Sequence, residues 1–262
     1  MAERTDPEPS GEPTRRGGRR VLLEKHRWVI FVLPLLVFLL VGSLEPKPPE
    51  GGSSEGWLAI PYGYYPIVYT LKIALTLAAI VFVLPGYGEF PWRVSPLSVV
   101  VGLIGVVVWV GICSLELEGR LLLPLGLGWF VDQGARSAFN PLEQLHPAAW
   151  AWGFLAIRLV GLGVVIAVAE EFFLRGFLMR FVIEADWWDV PFGRVSAAAV
   201  LAGAVAAMLS HPAELLAAAV WFLLVTWLMV KTKNIWDCVV AHGITNVLLA
   251  VYVVSSGAWH LM

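Results

Sequence analysis

The last third of the chain places ionisable and amide side chains inside otherwise apolar runs. They lie in the segments AVAEEFFLRGFLMR, AAMLSHPAEL and DCVVAHGITNVLLAVYVV. An ionisable side chain at bilayer depth costs about 2.5–3.5 kcal/mol on insertion scales, so each one needs a chemical or structural reason to be there. The residues concerned are Glu170, Glu171, Arg175, His211, His242 and Asn246.

Two adjacent glutamates differ in the partner that their spacing offers. Glu171 and Arg175 are spaced i,i+4 with the acid first, the favourable order for an ion pair within one helix. Glu170 lies about 100° around the helix from Glu171 and lacks that partner. A desolvated, unpaired carboxylate becomes a stronger base, as a general base requires. The alternative is that Glu170 lies at a helix end that reaches water.

His242 and Asn246 are also spaced i,i+4 and therefore project from one face of the final helix. Such a face is directed at a cavity or at another helix, where hydrogen bonding alone would explain it. His211 precedes Pro212, which disfavours helix, so His211 is expected to end one helix and cap the next. Pro212 and Glu214 would then be the first and third residues of that next helix. His211 either caps only or also points its ring inward.

The amino-acid composition indicates that these residues lie in a membrane protein. The chain has 262 residues, of which 58% are hydrophobic and 15% charged, whereas soluble domains carry about 25% charged residues. These values exclude a water-soluble enzyme. The net charge is −2 and no basic face is evident, so nucleic acid is not expected as a partner. The two cysteines, Cys113 and Cys238, are too few for a disulfide framework.

The uncharged runs predict an all-α, polytopic integral membrane bundle, because a span needs about 20 mainly apolar residues. A short apolar segment at 121–130 contains Pro124, Gly126 and Gly128 and is either re-entrant or an eighth span. The seven predicted spans are 28–44, 64–85, 94–115, 150–172, 195–210, 214–230 and 236–256.

Lysine and arginine set the expected orientation and organisation. Most of them fall in the N-terminal tail and in the loops on the same side, which places the N-terminus in the cytoplasm. We expect a disordered basic tail at 1–27, N-terminal spans and loops at 28–147, and a catalytic core at 148–262. The expected location is a bacterial cytoplasmic membrane.

Three motifs together resemble the CAAX-protease and bacteriocin-processing family of intramembrane proteases. They are Glu-Glu-x-x-x-Arg, a lone His at the end of the next span, and His-x-x-x-Asn on a later span. The resemblance runs from about residue 148 to 256, with EEFFLRGFLMR as its most specific part. The whole layout is similar to a bacterial branch related to CAAX prenyl proteases.

The resemblance implies roles for matching residues. Glu170 corresponds to the general base that activates water, assisted by His211. His242 and Asn246 correspond to the pair that stabilises the oxyanion, and Glu171 and Arg175 to the residues that hold the site in shape. At the position four before His211 the family commonly has a large aromatic residue, but this chain has Ala207. The pocket is therefore wider, or another side chain fills it.

The implied activity is an intramembrane glutamate endopeptidase that hydrolyses a peptide bond of a membrane-associated protein or peptide. No cofactor is expected. The alternative is zinc held by Glu170, His211 and His242, although no His-Glu-x-x-His helix is present. The competing classes are a non-enzymatic binding or immunity-type protein, which would tolerate Glu170→Gln, and a proton-coupled carrier. The oligomeric state and the substrate are not predicted.

Overall fold

Long apolar helices make up most of the protein in the computed structural model, which describes residues 18–47, 60–126 and 138–262. No β-strand occurs in these ranges. Residues 1–17 of the predicted tail, much of the loop after the first span and part of segment 121–130 lie outside them. The helices are α1 Gly18–Lys25, α2 Trp28–Gly42, α3 Tyr65–Val83, α4 Pro96–Cys113, α5 Leu117–Leu122, α6 Pro141–Gln144, α7 Ala148–Ile183, α8 Ala197–Ser210, α9 Leu215–Thr232 and α10 Ile235–Ser256.

Every predicted span corresponds to a helix, and the all-α membrane bundle is confirmed. Five of the described helices are long and apolar enough to cross a bilayer, or six if the bent pair α1 and α2 counts as one span. The prediction was seven. The difference lies in α2, which has 15 residues, and in α8, which has 14, because both are shorter than the hydrocarbon thickness requires.

Helix α7 is longer than its predicted span. The prediction ended it at residue 172, but it continues to Ile183 and comprises 36 residues. Arg175 does not end the helix because Glu171 neutralises it. Arg180 also lies within the helix, and it donates hydrogen bonds to the carbonyl oxygens of Val190 and Trp188 in the following loop.

This extension brings two predicted site residues to the same depth. Glu170 lies thirteen residues before the end of α7, and His211 lies fourteen residues after the start of α8 at Ala197. The two helices are consecutive and pack against each other. At 1.5 Å per residue, both side chains lie about 20 Å along their helices from the connection. Glu170 is therefore in the helix interior and not at a helix end.

The turn after α8 differs from prediction. Ser210 is the last residue of α8 and His211 follows as its C-cap, as expected. The prediction that His211 also caps the next helix is wrong, because α9 begins at Leu215 with Glu214 as its N-cap residue. Pro212 and Glu214 are therefore not its first and third residues. A turn closed by the Glu214 amide on the His211 carbonyl oxygen separates the helices. The carboxylate of Glu118 instead accepts from the amide of Leu216 in the first turn of α9.

Glycines allow α4 and α7 to pack closely on α10. A Cβ on Gly243 would lie 2.3 Å from the carbonyl oxygen of Gly163, and one on Gly102 would lie 2.9 Å from that of Ala241. Small residues at helix contacts are a common solution in membranes, because backbones must approach closely to gain packing energy. This packing fixes the face of α10 that carries His242 and Asn246 against α7.

Candidate active site

A sealed ion pair on α7 forms the base of the site. Arg175 donates from Nη1 to Glu171 Oε2, so the pair predicted from i,i+4 spacing is present. Both side chains are fully buried. Arg175 also donates from Nη2 to the carbonyl oxygen of Phe222 at 3.1 Å, with its guanidinium over the Phe222 ring. The guanidinium thereby binds α7 to α9.

Glu171 also sets the orientation of His242. Its Oε1 lies 2.9 Å from His242 Nδ1. An ionised carboxylate only accepts hydrogen bonds, so Nδ1 carries the hydrogen. Nε2 of the same ring then faces Glu170, whose Oε2 is 3.8 Å away. Two adjacent glutamates on α7 therefore flank one histidine of α10, one at each ring nitrogen.

His211 is held in a comparable way at the end of α8. Its Nδ1 lies 3.0 Å from the carbonyl oxygen of Ala207 and 3.0 Å from Ser210 Oγ. Because a carbonyl oxygen only accepts, Nδ1 donates to it, and Nε2 of the neutral ring remains a hydrogen-bond acceptor. A ring oriented in this way is able to accept a hydrogen from water.

Asn246 lies one turn after His242 on α10. Its amide nitrogen donates to the carbonyl oxygen of Leu162 at 2.9 Å. Leu162 belongs to a widened, π-helical stretch of α7, Gly161–Ile166, and a second such stretch follows Glu171 at Phe172–Leu178. Widened turns of this kind often occur at functional sites. An amide group has two hydrogens, so Asn246 retains one more donor.

The four side chains proposed for chemistry line one cavity of about 160 Å³. They come from α7, the end of α8 and α10, and three of them are more exposed than the residues behind them, whereas His242 is 5% exposed. Glu170, His211 and Asn246 are partly exposed, whereas Glu171 and Arg175 are sealed. Glu171 and Arg175 therefore form a structural layer behind the side chains that contact the cavity. The four are Glu170, His211, His242 and Asn246.

Further side chains line this cavity that the sequence analysis did not select. Phe38 of α2 and Trp109 of α4 reach it from the N-terminal half, and Leu261 and Met262 reach it from the segment after α10. Trp109 lies four residues from the end of its helix, where tryptophan is common at a membrane interface. Nothing in the sequence therefore distinguishes it from an interfacial tryptophan.

The alternative zinc set consists of Glu170, His211 and His242, which all line the cavity. No three His, Cys, Asp or Glu side chains in the described part of the chain are grouped so that they could hold a metal ion. We therefore derive no step that involves a metal.

The fold and the cavity together define a polytopic integral membrane protein with a buried glutamate and histidine site. Residues 151–248 match the model of a family described as Rce1-like, type II CAAX prenyl endopeptidase. The predicted resemblance is confirmed over these residues, which include all six residues of the three motifs. No curated protein and no solved structure gives a significant match. The region is thus similar to a family of membrane endopeptidases.

Proposed function

We propose that the protein is an intramembrane endopeptidase that hydrolyses a peptide bond of a membrane-associated protein or peptide with water activated by Glu170 and His211. The observation that carries the proposal is that Glu170, His211, His242 and Asn246 line a single cavity, together with the family match over 151–248. Glu170 accepts a proton from the water as it attacks the peptide carbonyl carbon. His211 accepts the other hydrogen bond of that water through Nε2.

The charges around His242 suit the stabilisation of an oxyanion. Its Nδ1 hydrogen is committed to Glu171, so donation to substrate requires a second hydrogen on Nε2. In that form the imidazolium lies between the carboxylates of Glu170 and Glu171. Together with Arg175 the cluster then carries two negative and two positive charges. A balanced set is what a desolvated site requires.

Substrate binding requires the cavity to widen. Its volume of about 160 Å³ admits water and a carbonyl group but is below the 300 Å³ or more that ligand sites usually have. Leu261 and Met262, which follow the end of α10, form part of its lining. They belong to a short 3₁₀ turn and its following residue and not to a spanning helix.

The proposal is tested by comparing protein termini in membranes of cells that express the wild-type chain or Glu170→Gln at equal abundance. We expect specific new termini in the wild type, with the corresponding precursors accumulating in the variant. This result also names the substrate. Identical profiles with folded wild-type protein would contradict peptide hydrolysis and direct attention to binding or proton-coupled transport.

Replacing Asn246 by Ala is expected to slow cleavage about 10²–10³-fold, since that is the usual cost of removing one oxyanion donor. The effect should be on kcat, because the oxyanion forms only during reaction. The rate of cleavage of the identified substrate measures it. Ser255→Ala, an exposed position at the end of the same helix, is the matched control. Undiminished cleavage by Asn246→Ala would refute its role.

Chelators are expected to leave activity unchanged, because no metal-binding group of side chains occurs in the described residues. Cleavage is measured after prolonged incubation with a zinc chelator and after zinc is added back. Loss of activity that zinc specifically restores would replace the water activation proposed above with a metal-dependent one.

A further inference from the structure

Trp109 is a buried side chain of α4 that contacts His211. Only 6% of the residue is exposed, and it lines the same cavity as Glu170 and His211. The edge of one ring meets the face of the other, with centroids 5.3 Å apart and planes at 75°. The N-terminal half of the protein thus contributes directly to the surroundings of a residue that the proposed function places beside the attacking water.

Ala207 of α8 belongs to the same buried cluster as Trp109 and lines the same cavity. Ala207 lies one turn before His211, lines the cavity and offers its carbonyl oxygen to His211 Nδ1. The ring of His211 is therefore held by a hydrogen bond on one nitrogen and by Trp109 across its plane. Both contacts help to orient the ring and therefore Nε2.

The indole N–H of Trp109 is also a donor without a partner. Among the described residues it is buried and makes no hydrogen bond, and no other residue with such an unpaired side-chain atom lines this cavity. Trp221 provides the comparison, because it packs on His242 in the same way but donates its N–H to Thr245 Oγ1 at 3.3 Å. A buried donor without a partner is costly, so a bound group is the natural acceptor.

We propose that Trp109 positions His211 and donates its indole N–H to a carbonyl oxygen of the substrate peptide. This inference rests on the proposed function and adds a residue of α4 to it. The ring keeps Nε2 of His211 directed at the water. The N–H helps to hold the peptide whose bond is broken.

Two substitutions of Trp109 distinguish its hydrogen bond to the substrate from its packing against His211. Trp109→Phe keeps an aromatic ring against His211 and removes the donor. It is expected to raise KM, lowering kcat/KM about five- to tenfold, which is the usual value of one hydrogen bond. Trp109→Ala also removes the ring, so it should lower kcat in addition to raising KM, and it should shift the pH profile of kcat as the environment of His211 changes. Trp150→Phe, at a 71% exposed position on α7, is the control that should leave both parameters unchanged.

NMR of the His211 ring provides a readout that does not depend on activity. The Trp109 ring current should displace its signals, Trp109→Phe should keep most of that displacement, and Trp109→Ala should abolish it. Unchanged kinetics in Trp109→Phe would overturn the proposal that the indole N–H donates to the substrate. Unchanged His211 signals and an unchanged pH profile in Trp109→Ala would overturn the proposal that Trp109 positions His211. A folded wild type that cleaves nothing would contradict the proposed function itself, and with it the donor, while the NMR series still decides the contact with His211.

Discussion

Glu170→Gln is expected to reduce peptide cleavage about 10²–10⁴-fold, the usual contribution of a general base. The amide has nearly the shape of the carboxylate but cannot accept the proton of the attacking water. Glu170 makes no ion pair with Arg175, and its side chain is 14% exposed at the cavity. The loss should therefore appear in kcat without a fall in thermal stability. Both are measured on purified protein with the substrate found by terminal profiling.

The control for this variant is Glu184→Gln. Glu184 is an exposed acid directly after α7, so it carries the same charge beside the same helix but does not line the cavity. It should retain wild-type activity. A Glu170→Gln variant that cleaves at the wild-type rate would remove Glu170 from the mechanism and favour a binding protein, which tolerates that substitution.

Replacement of the neighbouring residue should have a different main effect. Glu171→Gln leaves the sealed guanidinium of Arg175 without a countercharge. Removing one partner of a buried pair typically destabilises a protein by about 3–5 kcal/mol. The variant should therefore unfold at a clearly lower temperature in detergent or lipid. It should also lose activity, because Glu171 orients His242.

A second substitution distinguishes charge burial from a general packing defect. Adding Arg175→Met to Glu171→Gln removes the unpaired charge and keeps much of the side-chain volume. Part of the lost stability should return in this double variant. The ion pair does not stabilise the fold if Glu171→Gln is as stable as the wild type. The same conclusion holds if the double variant loses the sum of the free energies of unfolding that the two single variants lose.

The sequence predicts the ends of a helix where polar residues flank an apolar run on both sides. The predicted spans 28–44, 94–115 and 236–256 agree with Trp28–Gly42, Pro96–Cys113 and Ile235–Ser256 within two residues at each end. The predicted span 150–172 ends before Arg175, whereas α7 continues through this residue to Ile183. The charge of Arg175 is compensated within the helix, and no one-dimensional pattern of hydropathy accounts for a pair that neutralises itself.

The site was predictable only where it depends on spacing along one helix. The pair Glu171 and Arg175, and the shared face of His242 and Asn246, follow from helical geometry. The contact between Glu171 and His242 joins residues 71 positions apart and depends on the close approach of α7 and α10. Trp109 depends on the packing of α4, which no motif marks. Contacts between helices are set by packing, so the sequence of one helix does not contain them.

Glu170 and His211 are proposed to hold one attacking water between them. The most direct test measures kcat/KM for the wild type, Glu170→Gln, His211→Ala and the double variant on the same substrate. Residues that act as a unit are strongly non-additive. We expect each single variant to lose about 10²-fold or more and the double variant to be little worse than the more impaired single one. Losses that multiply, or a single variant with wild-type activity, would contradict a shared water.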